Sequence, residues 1–257
     1  MESAGTARKR VGHTWVHTAF EVKSRFVIEL RVAPRSLQAA LALVVSVAMV
    51  CVTGSYPLLL FDDHRVYPSA LLQVFGRIKH RRRPRRCGRK RHPSLKPPPG
   101  LLAGVVQKVR DAKGHLRKVS RKALFGTVRQ IEARIQELGI GHKINTAHLE
   151  RFNGTVRGRQ CRLARRTRQI SRRGDLLQEA LWIFRDLYNW IKVHGSLGDR
   201  TPAMALGVSD HPWSLCEYIG HPVHVSNLQR DIWAEDRQAL QESALDRYLH
   251  KKALPIS

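Results

Sequence analysis

The sequence predicts an α/β domain, a mixed sheet flanked by helices, and three observations predict it. Thr14–Phe20 and Phe26–Val32 have strand character and are joined by Glu21–Arg25, a hairpin pattern. The short apolar stretch Leu58–Phe61 ends in Asp62 and Asp63. Such a run is the pattern of a buried central strand that presents carboxylates at its C-terminal end. Over 175–193, the residues Leu176, Leu177, Ala180, Leu181, Ile183, Phe184, Leu187, Tyr188 and Ile191 recur at helical spacing, which predicts a helix with one strongly apolar face.

The remaining elements follow in order. Residues 1–13 are polar and basic, without a periodic pattern, and read as a disordered N-terminus. Pro34 and Ser36 open a helix that continues through the apolar run to about Val52. Pro68 starts a second helix over Ser69–Phe75. From Arg77 to His92 the composition turns to Arg and Lys without acids, followed by Pro97-Pro98-Pro99-Gly100, which predicts a linker or an exposed basic loop. Val105–Val109 and Leu116–Ser120 flank a turn with Gly114, so 77–140 is expected to be a basic linker and a hairpin insertion. Gln130–Leu138 is amphipathic and closed by Gly139. Thr146 is a candidate N-cap for a helix carrying Glu150, and 216–257 is expected to be a helical tail.

Composition narrows the partner. The 257 residues hold 46 Lys and Arg against 20 Asp and Glu, a formal net charge of +26. A field of that sign attracts polyanions, and each phosphate neutralised releases condensed counterions, so nucleic acid is the expected partner. An anionic membrane or an acidic protein is the competing reading. The four cysteines, Cys51, Cys87, Cys161 and Cys216, show no paired spacing, which speaks against a disulfide framework or a zinc module and suits a reducing, cytoplasmic setting. The apolar run Ala39–Val52 is shorter than the roughly 20 residues that a bilayer span requires. It lies too far from the start for a signal peptide, so no membrane partner is expected.

The segment Asn145–Arg157, N-T-A-H-L-E-R-F-N-G-T-V-R, places Glu150 and Arg157 seven apart, near one face of a helix. That pair fits a metal-binding carboxylate beside a phosphate-contacting guanidinium, and it also fits a solvated ion-pair face. The segment resembles the third-acid motif of DDE transposases of bacterial insertion sequences, E-R-x-N followed by a basic residue seven positions after the Glu. Pro57–Gly76, PLLLFDDHRVYPSALLQVFG, resembles the family's second-acid region. Tyr188–Leu197, YNWIKVHGSL, is similar to Y-N-x-x-R-P-H-x-S-L, and Thr201-Pro202-Ala203 resembles the T-P-A segment that follows.

The resemblance implies a ribonuclease-H-like core in two parts, 14–76 and 141–215. It implies two divalent ions, Mg²⁺ or Mn²⁺, bound by Glu21, Asp62 and Glu150. The implied reaction is in-line attack of water, then of a DNA 3′-hydroxyl, on a phosphodiester. Asp62 is the second acid because Tyr67 then falls at the family's distance; Asp63 is the alternative. Glu21 stands where the family has Asp, and no Asp occurs before Asp62, so turnover is expected to be weak or absent. Lys192 and Val193 replace the family's Arg and Pro before His194. The thirteen residues before the first core strand are too few for the helix-turn-helix domain of related transposases, and a truncated, non-catalytic DNA-binding remnant is the alternative reading.

Two basic clusters, 77–91 and 151–173, are expected to contact phosphates without reading sequence. The nucleic-acid-binding candidates are Arg157, Arg159, Arg162, Arg165, Arg166, Lys192 and His194. Insertion-sequence ends and target DNA are the implied partners, with a homo-oligomer on DNA and a nucleoid-associated location.

Overall fold

The computed structural model describes residues 14–52, 54–79, 94–113, 115–164, 168–169, 171 and 173–221. The architecture is mixed α/β. Strands β1 (Trp15–Phe20) and β2 (Val27–Ala33) form the expected antiparallel hairpin. Ser36 caps α1 (Leu37–Val50), its hydroxyl accepting from the Ala39 amide at 3.2 Å. Among the described residues no helix is long and apolar enough to cross a membrane.

Strand β3 (Leu59–Asp62) pairs in parallel with β6 (Ala103–Arg110), and β6 pairs antiparallel with β7 (Leu116–Phe125). β3 is therefore an edge strand of a three-stranded sheet, where the sequence pattern predicts a central one. Four residues with neighbours on both faces give the same apolar run whether one hydrogen-bonding edge is filled or two. Nor does the hairpin expected as an insertion stand apart: β6 is the strand that β3 pairs with. Within the basic 77–92 stretch, Arg77–Lys79 forms β4 and pairs with β5 (Ser94–Lys96); the rest lies outside the described residues, as do 1–13 and the tail beyond 221.

Three apolar clusters hold the layers together. On one face of the sheet, α2 (Tyr67–Phe75) contributes Ala70, Leu71 and Val74, which pack with Ala40, Leu41 and Val44 of α1 and with Ala103 and Phe125. On the opposite face, Ile131 and Ile135 of α3 (Val128–Glu137) pack with Val106 and Ile144. The third cluster joins Val27 and Leu30 of the hairpin to Phe152 and Val156 of α4 (Ala147–Arg159). Leu177, Leu181 and Phe184 of α5 (Gly174–Asp186) complete it with Tyr188, which lies in the π-helical turn Leu187–Ile191 that prolongs α5.

The outer edge of β2 is closed by side chains. Asn189, buried, accepts from the Val27 amide and donates to the Val27 carbonyl, both at 2.9 Å. Gln178 does the same across Val32 N and Leu30 O, at 2.7 Å each. Two amide side chains, one on α5 and one on the turn that prolongs it, thus stand in for a neighbouring strand and cover an edge that would otherwise invite further pairing. Short helices follow, α6 (Pro202–Leu206), capped by Thr201, and α7 (Leu215–Gly220), capped by Ser214.

Candidate active site and nucleic-acid interface

Asp62 ends β3 opposite Val106, which sets its side chain on the sheet face that carries Val106 and, two residues on, Lys108. α4 approaches that face at its N-terminal end. Gly104 permits the approach: a Cβ there would lie 3.0 Å from Leu60 and 3.1 Å from the side chain of Ile144, two residues before the Thr146 cap. The result is a cavity of about 430 Å³ lined by Asp62, Asp63, Gln107, Lys108, Arg110 and Glu150. The second and third acids singled out in the sequence therefore meet at one end of one sheet.

The Glu150 carboxylate is exposed yet engaged. Glu150 forms an ion pair with Lys108 and accepts the Thr146 hydroxyl at 2.7 Å on the same oxygen. Thr146 is the N-cap residue of α4, as the sequence predicts, but its hydroxyl donates to Glu150 rather than accepting from the amides of the first turn. The hydrogen bond from Lys108 is the main reason that the Glu150 carboxyl is held below its ordinary range, with Thr146 and the charge of Arg110 acting in the same direction against burial. Asp63 points to the other sheet face, where it accepts from Gln107 Nε2 at 2.7 Å, while Lys122 donates to Gln107 Oε1 at 2.9 Å. Asp62, not Asp63, shares the Glu150 face.

Glu21 sits apart from this pair. It lines a neighbouring cleft of about 600 Å³ that runs between β1 and β3 and that Asp62 also borders. Both of its oxygens turn back into the β1–β2 turn: Oε1 accepts from the Lys23 amide at 3.0 Å, and Oε2 accepts from the Ser24 amide at 2.6 Å and from the Ser24 hydroxyl. Among the described residues, no three of His, Cys, Asp and Glu gather closely enough to hold a metal ion. Asp62 and Glu150 carry hard oxygen donors of the kind that divalent cations take, and Glu21 is engaged in its own turn.

The same cleft is bordered by His64, which the motif spacing did not single out. Its Nδ1 is buried without a hydrogen-bond partner and its ring lies 5.6 Å from Tyr67. Burial, then the charge of Arg35, lowers its pKa from the usual histidine value. Only its place two residues after Asp62 could have flagged it. Burial raises the Tyr67 phenol, and the charge of Asp62 adds to the effect.

Of the basic candidates, Arg157 and Arg159 are exposed on the last turns of α4, and Arg162 is exposed on the turn that follows. Arg157 borders the β1–β3 cleft, whereas Glu150 lines the acidic cavity, so residues seven apart on one helix serve two adjacent openings. Arg165 and Arg166 lie outside the described residues. Lys192 is half-buried, its amide donating to the Leu187 carbonyl at 3.0 Å. The His194 ring packs 4.6 Å from Tyr188 with its Nε2 buried and unpaired; burial, then the charge of Arg25, lowers its pKa.

A further basic element, the β6–β7 hairpin, escapes a reading by charge runs. Residues 107–122 carry seven Lys and Arg against Asp111 alone, a density masked in the sequence by the still more basic stretches on either side. Comparisons with family models, with curated proteins and with solved structures find no match for this chain.

Proposed function

We propose that the chain is a DNA transposase of the DDE type, its α/β core arranged like ribonuclease H and its catalytic centre degenerate. The observation that carries this reading is the cavity shared by Asp62 and Glu150, two acids far apart in the chain that the motif order had already paired. Insertion-sequence ends and target DNA are the substrates, a homo-oligomer on DNA is the working form, and the bacterial nucleoid is the location.

The residues divide the work. Asp62 and Glu150 would hold a Mg²⁺ or Mn²⁺ ion, which supplies positive charge to the entering and leaving oxygens of a phosphodiester. Lys108 and Arg110 neutralise the phosphate as it enters the cavity. Arg157 and Arg159 fix the flanking backbone without reading bases.

The test is Mn²⁺-dependent hydrolysis and strand transfer on duplex DNA, comparing the chain with Asp62→Ala, Glu150→Gln and Glu21→Asp. Glu21→Asp is expected to raise the rate, because Asp is the residue that the family resemblance implies at this position. Either acid substitution should remove the activity that Glu21→Asp restores. Failure of all three to change the rate overturns the assignment.

A second reading, a non-catalytic DNA-binding remnant, is favoured by the two engaged carboxylates: Lys108 on Glu150 and the Ser24 turn on Glu21. It predicts salt-sensitive DNA binding unaffected by Glu150→Gln, with no cleavage in any variant.

A further inference from the structure

We propose that the distal half of the β6–β7 hairpin is a DNA-gripping ribbon that lies along duplex phosphates and leads the strand to the Asp62–Glu150 cavity. β3 stops at Asp62 opposite Val106, so β6 and β7 run on beyond it paired to each other. The extension from residue 107 to the turn reaches about 13 Å at the usual rise per residue. A two-stranded ribbon of this kind fits a major groove about 12 Å wide.

The charge of the ribbon suits that partner. Arg110, Lys113, Arg117, Lys118, Arg121 and Lys122 are exposed, while the one acid, Asp111, is half-buried, with Arg117 Nε at 3.2 Å and the His115 amide at 2.8 Å. Pairing register sorts these cations by face. Lys108, opposite Val119, and Arg110, opposite Leu116, lie on the face of Asp62 and Glu150; Lys118, opposite Val109, and Lys122 lie on the other. One face of the ribbon therefore continues the wall of the acidic cavity, and a phosphodiester chain following Arg110 and Lys108 arrives at Asp62. Val109 and Leu116 are 45% and 50% exposed near the turn, apolar surface of the kind that contacts sugars and thymine methyls. The pairing register shifts between Val109 and Arg110, at the base of the tip.

This inference rests on the reading of the chain as a DNA-acting protein, and its test separates the two. Binding of the full chain to a duplex of about 24 base pairs is measured by fluorescence anisotropy from about 50 to about 300 mM salt, a range over which phosphate neutralisation dominates affinity. The parent is compared with Lys113→Gln combined with Arg117→Gln and Lys118→Gln, and with Arg157→Gln combined with Arg159→Gln. The ribbon triple is expected to weaken binding by about tenfold or more and to flatten the slope of log K against log salt by about 2 to 3, near 0.9 for each phosphate no longer neutralised. The Asp111→Asn variant, which removes the only acid from the ribbon, should bind more tightly and keeps the test independent of any folding defect in the triple. A ribbon triple with parental affinity and slope, beside a weakened Arg157 and Arg159 pair, overturns the ribbon and leaves the DNA reading standing. Equal loss on single-stranded RNA and on duplex overturns the assignment to duplex DNA. A parent chain that binds no DNA overturns both.

Discussion

Lys108 lines the acidic cavity and donates to Glu150. In the proposed function, the Lys108 ammonium hydrogen-bonded to Glu150 would compete with a divalent ion for the same oxygen. Replacing it by an apolar side chain of similar length, Lys108→Met, should strengthen Mn²⁺ binding by at least about tenfold, the factor given by 1.4 kcal/mol. Calorimetric titration reads this directly, and Glu150→Gln in the same background should cancel the gain. Identical Mn²⁺ affinity in Lys108→Met and the parent would show that Lys108 does not guard the pair. The family resemblance singled out Asp62 and Glu150 together, and the structure sets both along one cavity. The resemblance was silent about Lys108 and about the Glu21 turn, since both depend on which strand lies beside β3 and on a local closure with Ser24.

At the scale of elements, α5 and its π-helical extension hold the hairpin through amide side chains in place of a strand. Asn189→Ala leaves the Val27 amide and carbonyl unpaired in a buried environment, and two lost bonds of this kind cost roughly 3 kcal/mol. Urea denaturation should show that loss, and Asn189→Asp should be no milder, because a buried carboxylate cannot donate to the Val27 carbonyl. A change below about 0.5 kcal/mol, the usual size for a surface substitution, would mean that the edge of β2 is satisfied in some other way. Helices α5 and α3 were readable from their apolar period, and α1 from its Ser36 start and continuous apolar run. The strand order was not: β3, a four-residue apolar run, carries no information on whether β1, β6 or both lie beside it. The sequence pattern joins the β1–β2 hairpin and β3 in one mixed sheet, but the structure sets a cleft between them.

Over the whole molecule, buried imidazoles couple folding to pH. His17 on β1, with Nε2 3.2 Å from the Pro34 carbonyl, is pushed down mainly by burial, as are His64 and His194. A lowered histidine pKa means that the fold favours the neutral ring. Its contribution is complete above the unfolded value of about 6.5 and is lost as pH falls through that value toward the folded one. His211 runs the other way, raised by Asp210 and Glu217, but it is exposed and screened. Thermal midpoints should therefore drop between about pH 7.5 and about pH 5.5, a window above the ordinary carboxylate range; a flat profile would remove the burial argument. The sequence by itself determined the strongly positive charge and the amphipathic helices, because each follows from composition or from spacing along one chain, and the family resemblance singled out Asp62 and Glu150 together. Only the tertiary structure decided that β6 flanks β3, that Lys108 meets Glu150, that Glu21 closes on itself and that a basic ribbon leaves the cavity, since each depends on contacts between distant segments that local periodicity does not encode.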